Sequence, residues 1–151
     1  MQIVDFRPEH ASAFKALNEA WITNYFALEP KDREVLGDPQ GKILDPGGRI
    51  FMALDEAGEA VGCVALQAMR DGGFEVAKMT TVERVRGQGV GRALMQRCVD
   101  VARELGAPRL YIETNSSLAP ALALYRAFGF KDLAPAETPY ARCDVWLELR
   151  L

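Results

Sequence analysis

"AKMTTVERVRGQGVGRALM", residues 77–95, decides how the chain is read. It begins as a strand and passes through Arg86, Gly87, Gln88, Gly89, Val90, Gly91 and Arg92. It then runs into a helix whose apolar face carries Val90, Leu94, Cys98, Val101, Ala102 and Leu105. A strand–loop–helix junction presents free backbone N–H groups and the positive end of a helix dipole. Together these hold anions, phosphate above all. Glycines let successive N–H groups curl inward and let a phosphate approach the main chain closely. The bland alternative is a glycine-rich turn flanked by solvated arginines, Arg84, Arg86 and Arg92.

Working outward, residues 3–6 read as a first strand, and Pro8 opens a helix through about Trp21. Pro30 opens a second short helix that ends at Gly37. Residues 49–54, 60–69 and 74–82 are strands joined by hairpin turns. Gly106 stops the helix after the glycine loop. Residues 109–114 form a buried strand, Pro120 starts a helix reaching Phe128, and Phe130 begins a short strand. Residues 142–151 close the chain with alternating faces. The order β-α-α-β-β-β-α-β-α-β-β predicts an α/β arrangement with a mixed sheet, part hairpin and part crossover.

Length and composition bound the function. The 151 residues suit one domain, residues 1–151, and the 49% hydrophobic and 26% charged content is that of an ordinary globular protein. No apolar run nears the ~20 residues of a membrane span, and the N-terminus lacks the basic and apolar regions of a signal peptide. Cys63, Cys98 and Cys143 are widely spaced with no CxxC pair, so neither a disulfide framework nor a metal site is expected. A reduced, cytoplasmic setting follows. A net charge of −3 argues against a nucleic-acid binder.

Three glycine-loop patterns compete. A Walker loop ends in Lys-Ser/Thr, and no such pair follows Gly91. A dinucleotide fingerprint spaces its glycines GxGxxG early in a βαβ unit, whereas this loop is GxGxG and follows three hairpin-linked strands. The RxxGxG pattern remains, met by Arg86, Gly89 and Gly91. That signature resembles the coenzyme A-binding loop of the GNAT superfamily of N-acetyltransferases. The likeness extends to "IETNSSLAPALALYRAFGF", residues 112–130, where a strand ends, a helix starts and a tyrosine precedes Gly-Phe. It is strongest from Phe74 to Phe130 and covers almost the whole chain in element order. The chain departs at Glu83, where many members carry proline. It departs again at Leu118, where many carry an asparagine; the nearest here is Asn115.

The resemblance implies a mixed, mostly antiparallel central sheet with splayed central strands, flanked by about four helices. It implies acetyl-CoA as co-substrate, without a metal. The reaction implied is direct attack by a primary amine of a small molecule or peptide in a ternary complex. On this likeness Arg86, Gly87, Gln88, Gly89, Val90, Gly91 and Arg92 cradle the pyrophosphate, and Met79, Thr80 and Thr81 run along the pantetheine arm. Asn115 is a further cofactor contact, and Arg84, Arg92 or Arg126 meets the remaining phosphate. Tyr125, in "YRAFGF", lies at the cofactor sulfur as the acid that protonates the thiolate; outside the motif it would read as a core aromatic. The base is Glu75 or Glu113, each an acid on a mostly apolar strand where it needs a partner or water. Alternation puts Glu75 on the side of Ala77, Met79 and Thr81, and a salt bridge to Lys78 would account for it without chemistry. Some members use no strong base. His10 reads as surface or helix cap.

In this family the first two helices build the acceptor site. Here residues 21–39, "WITNYFALEPKDREVLGDP", offer Trp21, Tyr25 and Glu29 as acceptor contacts. Acids there favour a cationic amine, which aromatics bind by cation–π contact; core packing is the plain alternative. This stretch and "PYARCDVWLEL", residues 139–149, are similar to a bacterial subgroup annotated with MarR-type regulators, although no DNA-binding half is evident. Core positions suit Cys98 and Cys143, and a homodimer is compatible with the reading. A non-catalytic acyl-CoA sensor and a nucleotide-binding protein are the competing functions.

Overall fold

Seven strands form one sheet in the order β1-β2-β3-β4-β5-β7-β6. The computed structural model describes residues 1–151. The elements are β1 (Gln2–Asp5), α1 (Ala11–Tyr25), α2 (Pro30–Gly37), β2 (Arg49–Leu54), β3 (Ala60–Ala68), β4 (Phe74–Thr81), α3 (Val90–Glu104), β5 (Arg109–Thr114), α4 (Ala119–Ala127), β6 (Lys131–Asp132) and β7 (Val145–Arg150). Every strand pairing is antiparallel except β4 with β5. The expected element order and sheet type are therefore borne out. No helix is long and apolar enough to cross a membrane.

The boundaries differ where side chains override local signals. Helix α1 runs to Tyr25 because Phe14, Asn18 and Ile22 continue one fully buried stripe, and the Phe26 N–H closes it on the Ile22 carbonyl. A π-helical turn, Gln40–Leu44, follows α2 unannounced by the sequence and buries Ile43. Strand β7 starts at Val145 rather than Arg142, because Arg142 is drawn away to Asp32.

Alternation along the strands sends two sets of side chains to opposite faces. Phe51, Val64, Leu66, Phe74 and Val76 pack under α3 with Leu94, Met95 and Cys98. Ile50, Met52, Cys63 and Ala65 pack under α1 and α2 with Phe14, Ile22 and Val35. Strand β4 breaks its own alternation. Ala65 faces Ala77 but Cys63 faces Thr80, so β4 carries one extra residue, a β-bulge. Lys78 lies there at φ 55, the sole non-glycine residue with positive φ. The bulge corrects the expected face of β4: Met79 turns to the α3 side and the Thr81 methyl group meets Gly62 beside Leu94. Glu75, Ala77 and Lys78 line the other side.

One buried carboxylate pins three parts of the chain. Asp32 on α2, fully buried, receives the Lys78 ammonium at 2.7 Å and both terminal nitrogens of Arg142 at 2.6 and 2.7 Å. It also accepts the Glu29 N–H at 2.9 Å, capping its own helix. Burial alone would raise the Asp32 carboxyl; the Arg142 and Lys78 hydrogen bonds outweigh it and hold the carboxyl well below the ordinary range.

Asp32→Asn is expected to cost about 3–5 kcal/mol at pH 7, because it leaves the buried Lys78 ammonium without its counter-ion and Arg142 with Glu29 alone. A native pKa below the unfolded value gives stability that is present above about pH 4 and lost as the pH falls further. Urea melts of wild type and variant should therefore converge in strong acid; an equal gap at every pH would assign the loss to packing.

Candidate active site

The glycine segment forms the mouth of the site. Gly87 and Gly89 take φ 79 and 82, values that favour glycine, and an added Cβ at either would meet nothing within 4 Å. The N–H groups of Gly87, Gly89, Val90, Gly91 and Arg92 make no main-chain hydrogen bond. They lie at and just before the N-terminus of α3, where the helix dipole adds to their field. This open cradle fits a diphosphate. Arg84 and Arg126 are held by Asp55 and Asp132, at 2.8 and 2.7 Å. Arg92 makes no ion pair and lies 5.3 Å over the Phe128 ring, which leaves it the available cation among the three.

Next to the cradle the sheet opens. Strands β4 and β5 pair only at Phe74 with Leu110 and Glu75 with Tyr111. Beyond Glu75 the β5-facing edge of β4, through Met79, Thr80 and Thr81, has no strand partner. On the α3 side the gap is bounded by α4: a Cβ at Gly91 would sit 3.6 Å from Leu124 and 3.7 Å from Met79. On the α1–α2 side a cleft of about 60 Å³ is lined by residues including Trp21, Glu75, Lys78, Glu113, Tyr140 and Arg142.

Both candidate carboxylates reach that cleft. Glu75 has no hydrogen-bond partner within the protein, and Lys78 bonds to Asp32 instead of to it. Burial and the Glu113 charge push the Glu75 carboxyl up to about 7. Glu113 accepts the Tyr111 hydroxyl at 2.8 Å and the Thr138 hydroxyl at 2.8 Å.

Tyr125 lies on the other face of the sheet, in the α3 core, 8% exposed and 6.0 Å from the Phe130 ring. Burial pushes its hydroxyl up to about 12, so it is a phenol at neutral pH. That hydroxyl makes no hydrogen bond, yet it is not sealed from solvent. Asn115 also lines the cleft; its amide donates to the Arg142 carbonyl at 2.7 Å and accepts from Ser117. It thereby ties the end of β5 to the segment before β7.

The acceptor-side candidates separate. Trp21 lines the cleft, anchored through its indole N–H to Asn18 at 3.0 Å. Tyr25 is 50% exposed and outside the cleft lining. Glu29 is a brace, accepting the Ala141 N–H at 2.8 Å and Arg142 at 3.3 Å. His10 caps the N-terminal helical turn by accepting the Arg7 N–H. Sequence reasoning missed Tyr140 and Arg142 as cleft residues and Lys78 as the link between them and α2. Tyr140 accepts from Lys78 at 3.1 Å, and the Arg142 guanidinium covers its ring at 4.5 Å. An aromatic and a cation two residues apart ahead of the last strand were the only signal, and nothing local says that they fold back over β4. Cys143 also lines the cleft; burial and Glu113 raise its thiol, so it stays protonated.

Comparison with known proteins matches this geometry. The profile of the acetyltransferase (GNAT) family covers residues 12–130. An uncharacterized N-acetyltransferase of Schizosaccharomyces pombe is 30% identical over 132 residues, which span 85% of this chain and 80% of that protein. A GNAT-family acetyltransferase from Staphylococcus aureus superposes with a TM-score of 0.90 at 16% identity, over 99% of this chain and 98% of that one. A GNAT-superfamily phosphinothricin acetyltransferase from Sinorhizobium meliloti, solved with acetyl-CoA, gives a TM-score of 0.81 at 20% identity, over 99% and 88%. With its unpaired N–H groups at the start of α3, parted central strands and profile match, the chain belongs to the GNAT family and is an acetyl-CoA-dependent N-acetyltransferase.

Proposed function

We propose that the chain transfers the acetyl group directly to a primary amine of a small molecule or peptide, with both substrates bound at once across the gap between β4 and β5. The gap carries this reading. Free N–H groups stand at its mouth, and an uncompensated carboxyl, Glu75, stands at its root. Gly87–Arg92 bind the pyrophosphate, and the open edge of β4 at Met79, Thr80 and Thr81 runs along the pantetheine arm as to an added strand. Residues 21–39 and 139–149, which carry the likeness to the MarR-associated subgroup, contribute Trp21, Tyr140, Arg142 and Cys143 to the acceptor side.

In this mechanism Glu75 takes a proton from the acceptor ammonium, directly or through one water. The freed nitrogen attacks the thioester carbonyl carbon, so a C–N bond forms and the C–S bond breaks. Tyr125 gives its proton to the departing sulfur, and the second proton that the nitrogen sheds as the amide forms returns through water to the Tyr125 phenolate. Burial raises the proton affinity of a thiolate as it does that of a phenolate, which keeps this transfer matched. The base and the acid sit on opposite faces of the sheet, so neither neutralises the other.

Three variants test the assignment. Gly89→Asp puts an anion into the cradle and should weaken acetyl-CoA at least about tenfold by calorimetry; unchanged affinity in a folded variant removes the loop from the site. Tyr125→Phe should lower kcat about 100-fold with acetyl-CoA affinity held; wild-type turnover across pH would remove Tyr125 as the acid. A base must be deprotonated to act, so kcat/KM should rise with pH through a midpoint near 7. Glu75→Gln should abolish that limb and cost about 100-fold or more.

A further inference from the structure

The charges of the cleft do not balance. Its two cations, Lys78 and Arg142, are spent on Asp32 and Glu29. Glu75 and Glu113 line the same cleft, and neither is in a salt bridge with any cation. Glu75 is faced by Glu113 and Tyr111 from β5, by Lys78 from its own strand and by Lys31 and Asp32 from α2. Tyr140, Arg142 and Cys143 face it from the segment before β7. Glu113 stands two residues beyond Tyr111, the cross-strand partner of Glu75, and on the same face. The hydroxyls of Tyr111 and Thr138 orient its two oxygens without bringing a compensating charge.

We propose that Glu113 orients the acceptor: its carboxylate holds the incoming amine as an ammonium ion beside Glu75, and it takes no proton itself. The inference rests on the assignment of Glu75 as base and deepens it by naming the substrate class. The acceptor is a primary amine that arrives cationic and carries no carboxylate next to the nitrogen. An anionic group there would meet two uncompensated carboxylates at short range, and like charges in a partly buried cleft repel strongly. The division of labour also follows from the partners. Glu75 has no donor holding it, so it is free to gain a proton. Glu113 has both oxygens engaged by hydroxyls, so it is the better-fixed anchor.

The test measures acetylation by the 151-residue chain over a pH series with two matched pairs, tyramine against tyrosine and agmatine against arginine. Wild type, E75Q, E113Q and E113D are compared. In wild type the decarboxylated member of each pair should have the higher kcat/KM, by about tenfold or more. E113Q is isosteric and can keep both hydroxyl contacts. It should raise the amine KM by about tenfold with the acetyl-CoA KM unchanged, and should move the acid limb to lower pH because the repelling charge is gone. E113D, which restores the charge, should return the limb toward its wild-type position. The proposal is overturned if the limb stays in place in E113Q, if the amino acids serve as well as the amines, or if neither tyramine nor agmatine is acetylated. A limb lost in E75Q but unmoved in E113Q sinks the role of Glu113 alone. A limb that persists in E75Q removes the base assignment and this inference with it.

Discussion

Strands β4 and β5 stay together for two residue pairs and then part, and the site depends on that parting. A sheet normally satisfies its backbone by continuing the ladder. Here the ladder stops after Glu75 and leaves that edge of β4 open. The parting is tolerable because β4 is anchored along its other edge by β3, and β5 along its other edge by β7 over six pairs. Each strand is therefore held firmly on one side and open on the other.

The bulge at Lys78 works with this gap. One extra residue reverses the alternation of β4, so Glu75 and Lys78 reach the α1–α2 face while Met79 turns beneath α3. Lys78 holds an uncommon backbone conformation, and its buried ammonium is matched by Asp32. Residues in such conformations persist where the surroundings over-determine them. The same carboxylate grips Arg142, which carries the segment containing Thr138 and Tyr140 over the cleft. Helix α2, the bulge and the segment before β7 thus share one buried ion cluster rather than a hydrophobic interface.

Charge is partitioned across the sheet. The mouth of the gap on the α3 side is positive, built from helix dipole, free N–H groups and Arg92. The cleft on the α1–α2 side retains a negative balance at Glu75 and Glu113 once its ion cluster has cancelled internally. An anionic acyl donor and a cationic acceptor would be drawn to opposite sides of one opening. The chain as a whole carries −3, a figure that hides both fields.

The sequence by itself determined the element order, the sheet type and the glycine-rich turn into α3, because each rests on local signals. Pro8, Pro30 and Pro120 mark helix starts, Gly106 and Gly129 mark ends, and glycine is written where Gly87 and Gly89 need positive φ. Membership of the family was legible through the spacing of Arg86, Gly89 and Gly91 and of Tyr125 with Phe130, since motifs on adjoining elements survive as strings. The face of β4 was misjudged because a bulge is an insertion relative to a partner strand, and Lys78 is an ordinary lysine until it is paired with β3. Only the tertiary structure decided that Glu75 is bare while Asp32 takes Lys78. Only it decided that Arg142 serves α2 from 110 residues away, and that Tyr140 closes the cleft. Those facts depend on which side chains meet across long loops, where desolvation and the competition among charges choose the partners.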